Sequence, residues 1–260
     1  MALPEHPGQA ATPAWAPRTR QVRRPQAAAG SHSAGGAGAR FARLDGPAGP
    51  LFVAFGDLGV RLVEPVALVG DDPGRFAARW RERFGEAVHE AAPPPGLEPA
   101  LAGRGEVPLD LGGMGDFDRA VLAVVAEIPR GEVRPYAWVA AEIGRPGAVR
   151  AVGSALARNP VPILVPCHRV IRSDGAIGNY AYGAPMKAAL LSAEGVDLAA
   201  LEALRRAGVR LVVSRSGRAV CLPSCRRARQ DTPGRHGGFA RLADALAAGY
   251  RPCPACRPTR

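Results

Sequence analysis

Ile163-Leu-Val-Pro-Cys-His-Arg-Val-Ile171 is a short apolar run broken in its middle by the polar triplet Cys167-His168-Arg169. A run of this length reads as a buried strand, and a strand buried in a core has no use for three consecutive polar side chains. The interruption asks for a chemical reason. A thiol beside a base supplies one, because the thiolate is the nucleophilic form of cysteine and an adjacent base generates it. Neighbouring strand residues point to opposite faces, so the pair needs either a bend after Pro166 or a bridging water. It also needs a carboxylate to orient the imidazole. Glu194, near the end of a helix starting at Pro185, and Asp174, in the turn Ser173-Asp-Gly, are both candidates. An inert buried Cys beside a surface His is the competing meaning.

Upstream, Phe117 to Ile128 carries Val121, Val124, Val125 and Ile128 on one helical stripe. Tyr136 to Ile143, the turn Gly144-Arg-Pro-Gly and Ala148 to Ala157 then have the lengths of a helix-turn-helix, whose second helix docks on DNA. Arg150 is the DNA-facing candidate on that helix; a surface ion pair is its alternative role. Further upstream, Leu51 to Phe55 and Val60 to Val66 flank Gly56-Asp-Leu-Gly and predict a hairpin. Asp72 and Pro73 then predict the start of a helix bearing Phe76, Trp80 and Phe84 at spacing four. Ala91 to Pro99 reads as a Pro-rich linker. Residues 1–48, rich in Ala, Gly, Pro, Arg and Ser without periodicity, read as a disordered arm. Its basic run at Arg18 to Arg24 reads as a solvated charge cluster.

The 260 residues are 47% hydrophobic and 22% charged, which excludes a wholly disordered chain. No apolar stretch is long enough to span a bilayer, and Met1-Ala-Leu-Pro-Glu-His lacks the basic-then-apolar pattern of an export signal. The expectation is a cytoplasmic, monomeric protein with no membrane partner. Net charge is +11, and residues 205–260 hold thirteen arginines against Asp231 and Asp244, so this segment alone accounts for the excess. Such a segment suits a polyanionic partner, because each phosphate it neutralises releases counterions; a solubility tail is the bland alternative. Lys187 is the single lysine among 34 basic residues, a bias that reads as genomic composition.

Cys221, Cys225, Cys253 and Cys256 form C-x3-C, a gap of 27 residues, and C-x2-C, leaving Cys167 apart. Two close thiolate pairs separated by a long gap are what a tetrahedral zinc site needs, with metal–sulfur distances of about 2.3 Å. Two disulfides are the rival account, disfavoured by the missing export signal and the fifth thiol.

Asn159-Pro-Val-Pro-Ile-Leu-Val-Pro-Cys-His-Arg-Val-Ile-Arg-Ser-Asp-Gly-Ala-Ile-Gly-Asn-Tyr180, continued by Lys187 and Leu190-Leu-Ser-Ala-Glu-Gly, resembles the O6-alkylguanine-DNA alkyltransferases, over roughly residues 50–200. The resemblance implies an α+β chain: a ribonuclease H-like α/β subdomain over 50–112, then a helical, helix-turn-helix alkyltransferase subdomain over 113–200. It implies Cys167 as methyl acceptor, His168 as its base through a water, Glu194 as the carboxylate behind His168, and Asn159 as organiser of the loop. Tyr136, Arg169, Tyr180 and the backbone near Ala181 become DNA- or base-binding groups, and Arg150 the side chain that enters the duplex as the damaged base flips out. This chemistry needs no cofactor. The thioether has no hydrolytic exit, so each molecule would act once, on double-stranded DNA carrying an alkylated guanine. Two departures stand out. Tyr182 occupies a Gly-rich position and should narrow the pocket, putting bulky alkyl groups in doubt. Asp118 replaces the usual amide after the Phe at that helix start and reads as a capping variation.

Cys221-Leu-Pro-Ser-Cys-Arg-Arg-Ala-Arg and Ala245-Leu-Ala-Ala-Gly-Tyr-Arg-Pro-Cys-Pro-Ala-Cys-Arg-Pro resemble the zinc-binding module of the Ada proteins, over about residues 208–260. This resemblance implies Zn2+ on the four cysteines, with Cys221 either a ligand alone or also an acceptor of methyl from a DNA phosphotriester. Val220 stands where that family has an aromatic residue, and the module follows the alkyltransferase part instead of preceding it. The function expected is direct repair of O6-methylguanine. A damage-sensing DNA-binding protein without transfer chemistry is the rival, and a cysteine hydrolase is a weaker third.

Overall fold

The computed structural model describes residues 38–214, 219–229 and 238–259. Three strands open it: β1 (Ala39–Gly46), β2 (Gly49–Gly56) and β3 (Gly59–Pro65). A short helix α1 (Val66–Val69), α2 (Pro73–Phe84) and β4 (Val88–Glu90) follow, giving a sheet of order β3-β2-β1-β4. β1 to β3 are antiparallel neighbours, while β4 adds parallel to β1. The central strand β2, Leu51-Phe-Val-Ala-Phe, is buried throughout, as a strand covered on both faces must be. Phe52 and Ala54 pack with Phe76 and Trp80 of α2, whereas Leu51, Val53 and Phe55 face the helical part of the molecule. Asp72 caps α2, accepting hydrogen bonds from Gly74 N at 2.8 Å and Arg75 N at 3.2 Å, with Pro73 at the first position.

The hairpin and the capped helix match expectation, but two readings need correction. Residues 39–48 are not part of an arm: β1 buries Phe41, Ala42 and Leu44, pairing Leu44 with Leu51. The Gly- and Ala-rich stretch before it hides this pattern from any composition average. Residues 1–37, including the basic run at Arg18 to Arg24, lie outside the described residues. The linker ends early as well, because α3 (Leu97–Leu101) buries Leu97 and Leu101 in the main core. Gly59 shows why the second hairpin strand needs glycine. Its φ is +126°, and a Cβ there would meet the Pro108 carbonyl at 2.2 Å.

The second layer is helical: α4 (Asp116–Ala126), then β5 (Arg134–Pro135), α5 (Tyr136–Glu142) and α6 (Val149–Ala157). Val121, Leu122 and Val125 of α4 meet Trp138 and Val139 of α5 and Val152 and Ala155 of α6 in one core. Asp118 is not a cap. It accepts both Nε and Nη2 of Arg158 at 2.8 and 2.7 Å and so ties α4 to the end of α6. A 3-10 turn, Cys167–Arg169, leads into β6 (Val170–Ile171), which pairs in parallel with β5. The helices α7 (Ala184–Ala193) and α8 (Leu198–Arg206) close this part.

The C-terminal elements are β7 (Leu211–Val213), β8 (Ala219–Cys221), α9 (Arg226–Arg229), β9 (Gly238–Phe239), α10 (Leu242–Ala247) and β10 (Arg251–Pro252), with sheet order β10-β8-β7-β9. Leu211, Val220 and all four cysteines join the same apolar cluster as α4, α5 and α6. The fold is thus mixed α and β. Among the described residues no helix is long and apolar enough to cross a membrane.

Candidate active site

The segment expected to be an interrupted strand is a tight turn instead. Cys167 N bonds to the Val165 carbonyl at 2.8 Å, Arg169 N bonds to the Pro166 carbonyl at 2.9 Å, and pairing starts only at Val170. A proline that cannot donate precedes the cysteine, and the turn aims Cys167, His168 and Arg169 in separate directions without a strand's alternation.

Cys167 is buried, at 6% exposure. Asn159 Nδ2 lies 3.1 Å from its Sγ and 3.0 Å from the Val165 carbonyl, while Asn159 Oδ1 accepts Val161 N at 3.1 Å. One amide therefore holds both sides of the loop and points a donor at the sulfur. Burial pushes the thiol pKa up, against the Asn159 hydrogen bond, the Tyr180 hydroxyl and the Lys187 charge, which pull it down. Tyr180 makes no hydrogen bond of good geometry, so its pull on the sulfur is that of a nearby dipole. Its ring stands edge-on to Tyr182 at 5.4 Å, and the Tyr182 hydroxyl donates to the Val63 carbonyl of β3 at 3.3 Å.

His168 is 1% exposed, and its Nε2 lies 2.9 Å from Glu194 Oε1. A carboxylate accepts only, so Nε2 carries the proton and Nδ1, which has no protein partner, keeps a lone pair. Burial lowers the imidazole pKa even though Glu194 opposes it, so His168 is neutral at pH 7 and able to take a proton. Burial alone would raise Glu194, but hydrogen bonds from His168 and Arg169 bring it down to about 2. Asp174, the other carboxylate considered, accepts Ala176 N at 3.1 Å and pairs with Arg172 in its own turn.

Arg169 does not have the DNA-facing place expected of it. Its guanidinium meets Glu194 through Nε at 2.8 Å and Nη2 at 2.7 Å, and Nη1 donates to the Ile128 carbonyl at 2.6 Å. The turn swings it inward, where a bidentate pair satisfies a buried carboxylate. Arg150 is exposed on α6 with no ion pair among the described residues, opposite the buried face of Val152, Ala155 and Leu156. Tyr136 opens α5, half-buried, and burial raises its pKa, with the charge of Cys167 adding to the rise. Ala181 is exposed in the turn after Tyr180.

One participant was noticed in the sequence only as part of a motif. Lys187 is fully buried without a carboxylate, donating to the Val170 carbonyl at 2.6 Å and the Asn179 carbonyl at 3.3 Å. Its ammonium lies 6.0 Å from the Tyr136 ring centroid. Burial lowers its pKa to about 8 while Cys167 opposes the fall. Being the only lysine in an arginine-rich chain was the available signal. A compact ammonium can lose desolvation cost by shifting its pKa, which a guanidinium cannot do.

A curated relative in Methanosarcina barkeri, a methylated-DNA–protein-cysteine methyltransferase, is 38% identical over 160 residues, which cover 60% of this chain and 96% of that protein. The chain belongs to this family. A family profile described as "6-O-methylguanine DNA methyltransferase, DNA binding domain" matches residues 116–196. A second methyltransferase of the family, in Methanothermobacter thermautotrophicus, is 51% identical over 90 residues, and there the match spans half of that protein and 35% of this chain. A crystal structure of the Mycobacterium tuberculosis O6-methylguanine methyltransferase is 33% identical, covers 60% of this chain and 93% of its own, and has a TM-score of 0.47. DNA is a partner of this methyltransferase family, and its acceptor is a cysteine.

All five cysteines are free thiols. Cys221, Cys225, Cys253 and Cys256 are buried, with their sulfur atoms within 4.8 Å of one another, and can hold a metal. Tetrahedral ligands at about 2.3 Å put sulfurs a little under 4 Å apart, so the set fits a four-thiolate ion. The donors are soft and close together, which suits zinc or a similar ion and not magnesium or calcium.

Proposed function

We propose that this methyltransferase repairs DNA by moving the methyl group of O6-methylguanine in duplex DNA onto Cys167, once per molecule. The observation that carries this reading is the chain of contacts Asn159–Cys167 and His168–Glu194 around one buried thiol. The Cys167 proton passes to His168 Nδ1 through a water. The thiolate attacks the methyl carbon, the S–C bond forms as the C–O6 bond breaks, and the electron pair stays on the guanine. A proton or hydrogen-bond donor to the departing oxygen completes the step, the role that the family resemblance gives to Tyr136 and the backbone near Ala181. Asn159 and Lys187 favour the thiolate. Tyr182, tied to Val63, supports a preference for methyl over bulky groups. Incubation with duplex DNA containing O6-methylguanine, then intact and peptide mass measurement, tests the proposal. One methyl on Cys167 supports it, and an unmodified Cys167 leaves a damage-sensing DNA-binding protein.

The domain reading follows with one changed boundary: a ribonuclease H-like subdomain from residue 39 to about 112, the alkyltransferase subdomain over 113–200, and an Ada-like module over 208–260. In that module Cys221, Cys225, Cys253 and Cys256 would hold Zn2+, which supplies folding energy and a positive charge at the cluster. Cys221 is 0% exposed, which favours a ligand role over methyl uptake from a phosphotriester. Arg226, Arg227, Arg241 and Arg251 are exposed, have no ion pair among the described residues, and would meet DNA phosphates. Metal analysis of the full-length protein checks the ion.

Two outcomes follow, one for the exposed face of α6 and one for the surroundings of Cys167. Arg150→Ala is expected to slow repair in duplex DNA by about ten-fold or more while reaction with free O6-methylguanine base changes little, because only the duplex must be unstacked; parallel single-turnover rates check it. Lys187→Met removes the cation that favours the thiolate. The Cys167 pKa then rises, the rate at pH 7 falls, and the pH–rate profile moves to higher pH. Rates between pH 6 and 10 check that shift.

A further inference from the structure

The four-cysteine unit is not an appendage on a tether. Among the described residues, the polar pins that join it to residues 132–142 sit next to a cysteine in sequence. Ser224, before Cys225, accepts Val133 N at 2.8 Å and donates to the Val133 carbonyl at 3.2 Å, and it is 4% exposed. Arg226, after Cys225, donates its backbone N–H to Glu132 Oε1 at 3.0 Å. Arg257, after Cys256, reaches Glu142 at the end of α5 with two bonds of 3.1 and 2.6 Å. Arg257 holds a left-handed backbone, φ 43°, with its N–H on the Cys253 carbonyl at 2.8 Å. Non-glycine residues take that conformation at a cost, and here it aims the guanidinium at Glu142 and across Trp138, 5.6 Å from the ring centroid. Arg134 stacks on the same Trp138 at 5.4 Å and pairs with buried Glu132 at 2.5 Å.

The stretch so gripped, residues 128–135, is held on its other side by the site of methyl transfer. Ile128 O accepts Arg169, Gly131 N donates to Glu194 Oε2 at 3.3 Å, and Arg134-Pro135 pairs with Val170-Ile171 directly after the Cys167 turn. Tyr136 and α5 follow immediately. The segment lies between the two cysteine sites, hydrogen-bonded on one side to the neighbours of Cys225 and on the other to Arg169 and Glu194.

We propose that the four-cysteine unit is a metal-dependent brace for the helix pair, in which Ser224, Glu132 and Arg257 are positioning residues that hold residues 128–142 in their DNA-competent placement. Binding a metal fixes the Cys225 and Cys256 loops, and these loops present the pins. Losing the metal releases the pins, so α5 and Tyr136 loosen while the bonds of Asn159 to Cys167 and of Glu194 to His168 remain. The inference rests on the proposed methyl transfer only for its kinetic readout.

The test uses the full chain, zinc-loaded and after extraction with a chelator. Hydrogen exchange of residues 128–142 should speed up by about ten-fold or more on extraction, the scale of coupling through a contiguous network. Transfer from duplex DNA should slow by a similar factor, and transfer from free O6-methylguanine base by clearly less, because Tyr136 serves both substrates while only the duplex needs the helix pair in place. The double variant Glu132→Gln, Ser224→Ala leaves all four ligands in place. It should retain zinc yet show the same faster exchange and the same duplex-specific loss, with Ser224→Thr restoring more than Ser224→Ala. Unchanged exchange in residues 128–142, in either the extracted protein or the metal-loaded variant, overturns the brace. Equal slowing with both substrates overturns it too. Absence of transfer from free base by the zinc-loaded wild type would instead sink the methyl-transfer reading, and the exchange data would still decide the brace.

Discussion

Replacing Cys167 by Ser is expected to abolish methyl uptake from O6-methylguanine, by more than about a thousand-fold, the scale on which losing a nucleophile registers in other enzymes. The reason lies in ionisation. Asn159 Nδ2 at 3.1 Å and the buried ammonium of Lys187 favour a negative sulfur, but a hydroxyl starts so far above a thiol in pKa that the same help leaves it protonated at pH 7. Oxygen is also the smaller atom, so the substitution costs little packing, and the variant should fold and bind DNA. Intact mass after incubation with methylated duplex reads the result directly. A methylated Ser variant would show that another residue accepts the group, and the four thiols of Cys221, Cys225, Cys253 and Cys256 would be the next place to look.

Glu194→Ala is expected to be the most damaging single change to stability around the site. The carboxylate accepts His168 Nε2 at 2.9 Å, Arg169 Nε at 2.8 Å and Nη2 at 2.7 Å, and Gly131 N at 3.3 Å. Its side chain is 7% exposed. Removing it leaves a nearly buried guanidinium without its counter-ion, a change that costs about 3–5 kcal/mol. In a domain of this size that lowers Tm by about 10 °C or more. Methyl transfer should fall with it, since the imidazole loses its orientation. Glu194→Gln keeps the shape and some hydrogen bonds, so its loss of stability should be smaller while its loss of activity persists. Thermal unfolding beside single-turnover rates separates the two effects. The pH dependence has a definite sign. The folded pKa of Glu194, about 2 against 4.5 for an ordinary glutamate carboxyl, is depressed, so its contribution is fully present above pH 4.5 and disappears as pH falls towards 2. His168, with its pKa lowered by burial, acts in the same direction: stability held by the neutral ring above pH 6.5 is lost on acidification. Acid titration of wild type against Glu194→Gln should show a shallower loss in the variant.

Much of the site was legible in sequence because its chemistry is local. Asn159, Cys167 and His168 fall within ten residues, and a polar triplet inside Ile163 to Ile171 is an anomaly that a core strand does not tolerate. The capped helix at Asp72-Pro73 and the pair α5 and α6 were equally visible, since caps and turns are written in two or three residues. Periodicity failed at β1, where a strand of eight residues follows a long Gly- and Ala-rich stretch, and pairing with β2 supplies what local propensity lacks.

By itself the sequence determined the candidate nucleophile, the metal-type spacing of the four other cysteines and the helix pair, because each depends on residue identity at short separation. Only the tertiary structure set Glu194 against His168 at hydrogen-bond distance, turned Arg169 from an expected DNA contact into an internal counter-ion, and revealed Lys187 as a buried charge near the thiol. It also joined Ser224 to Val133 and Arg257 to Glu142, across 91 and 115 residues. The physical reason is common to these cases. Which charges meet in a low-dielectric interior is a property of chain closure over long separations, and no local pattern of residues encodes it.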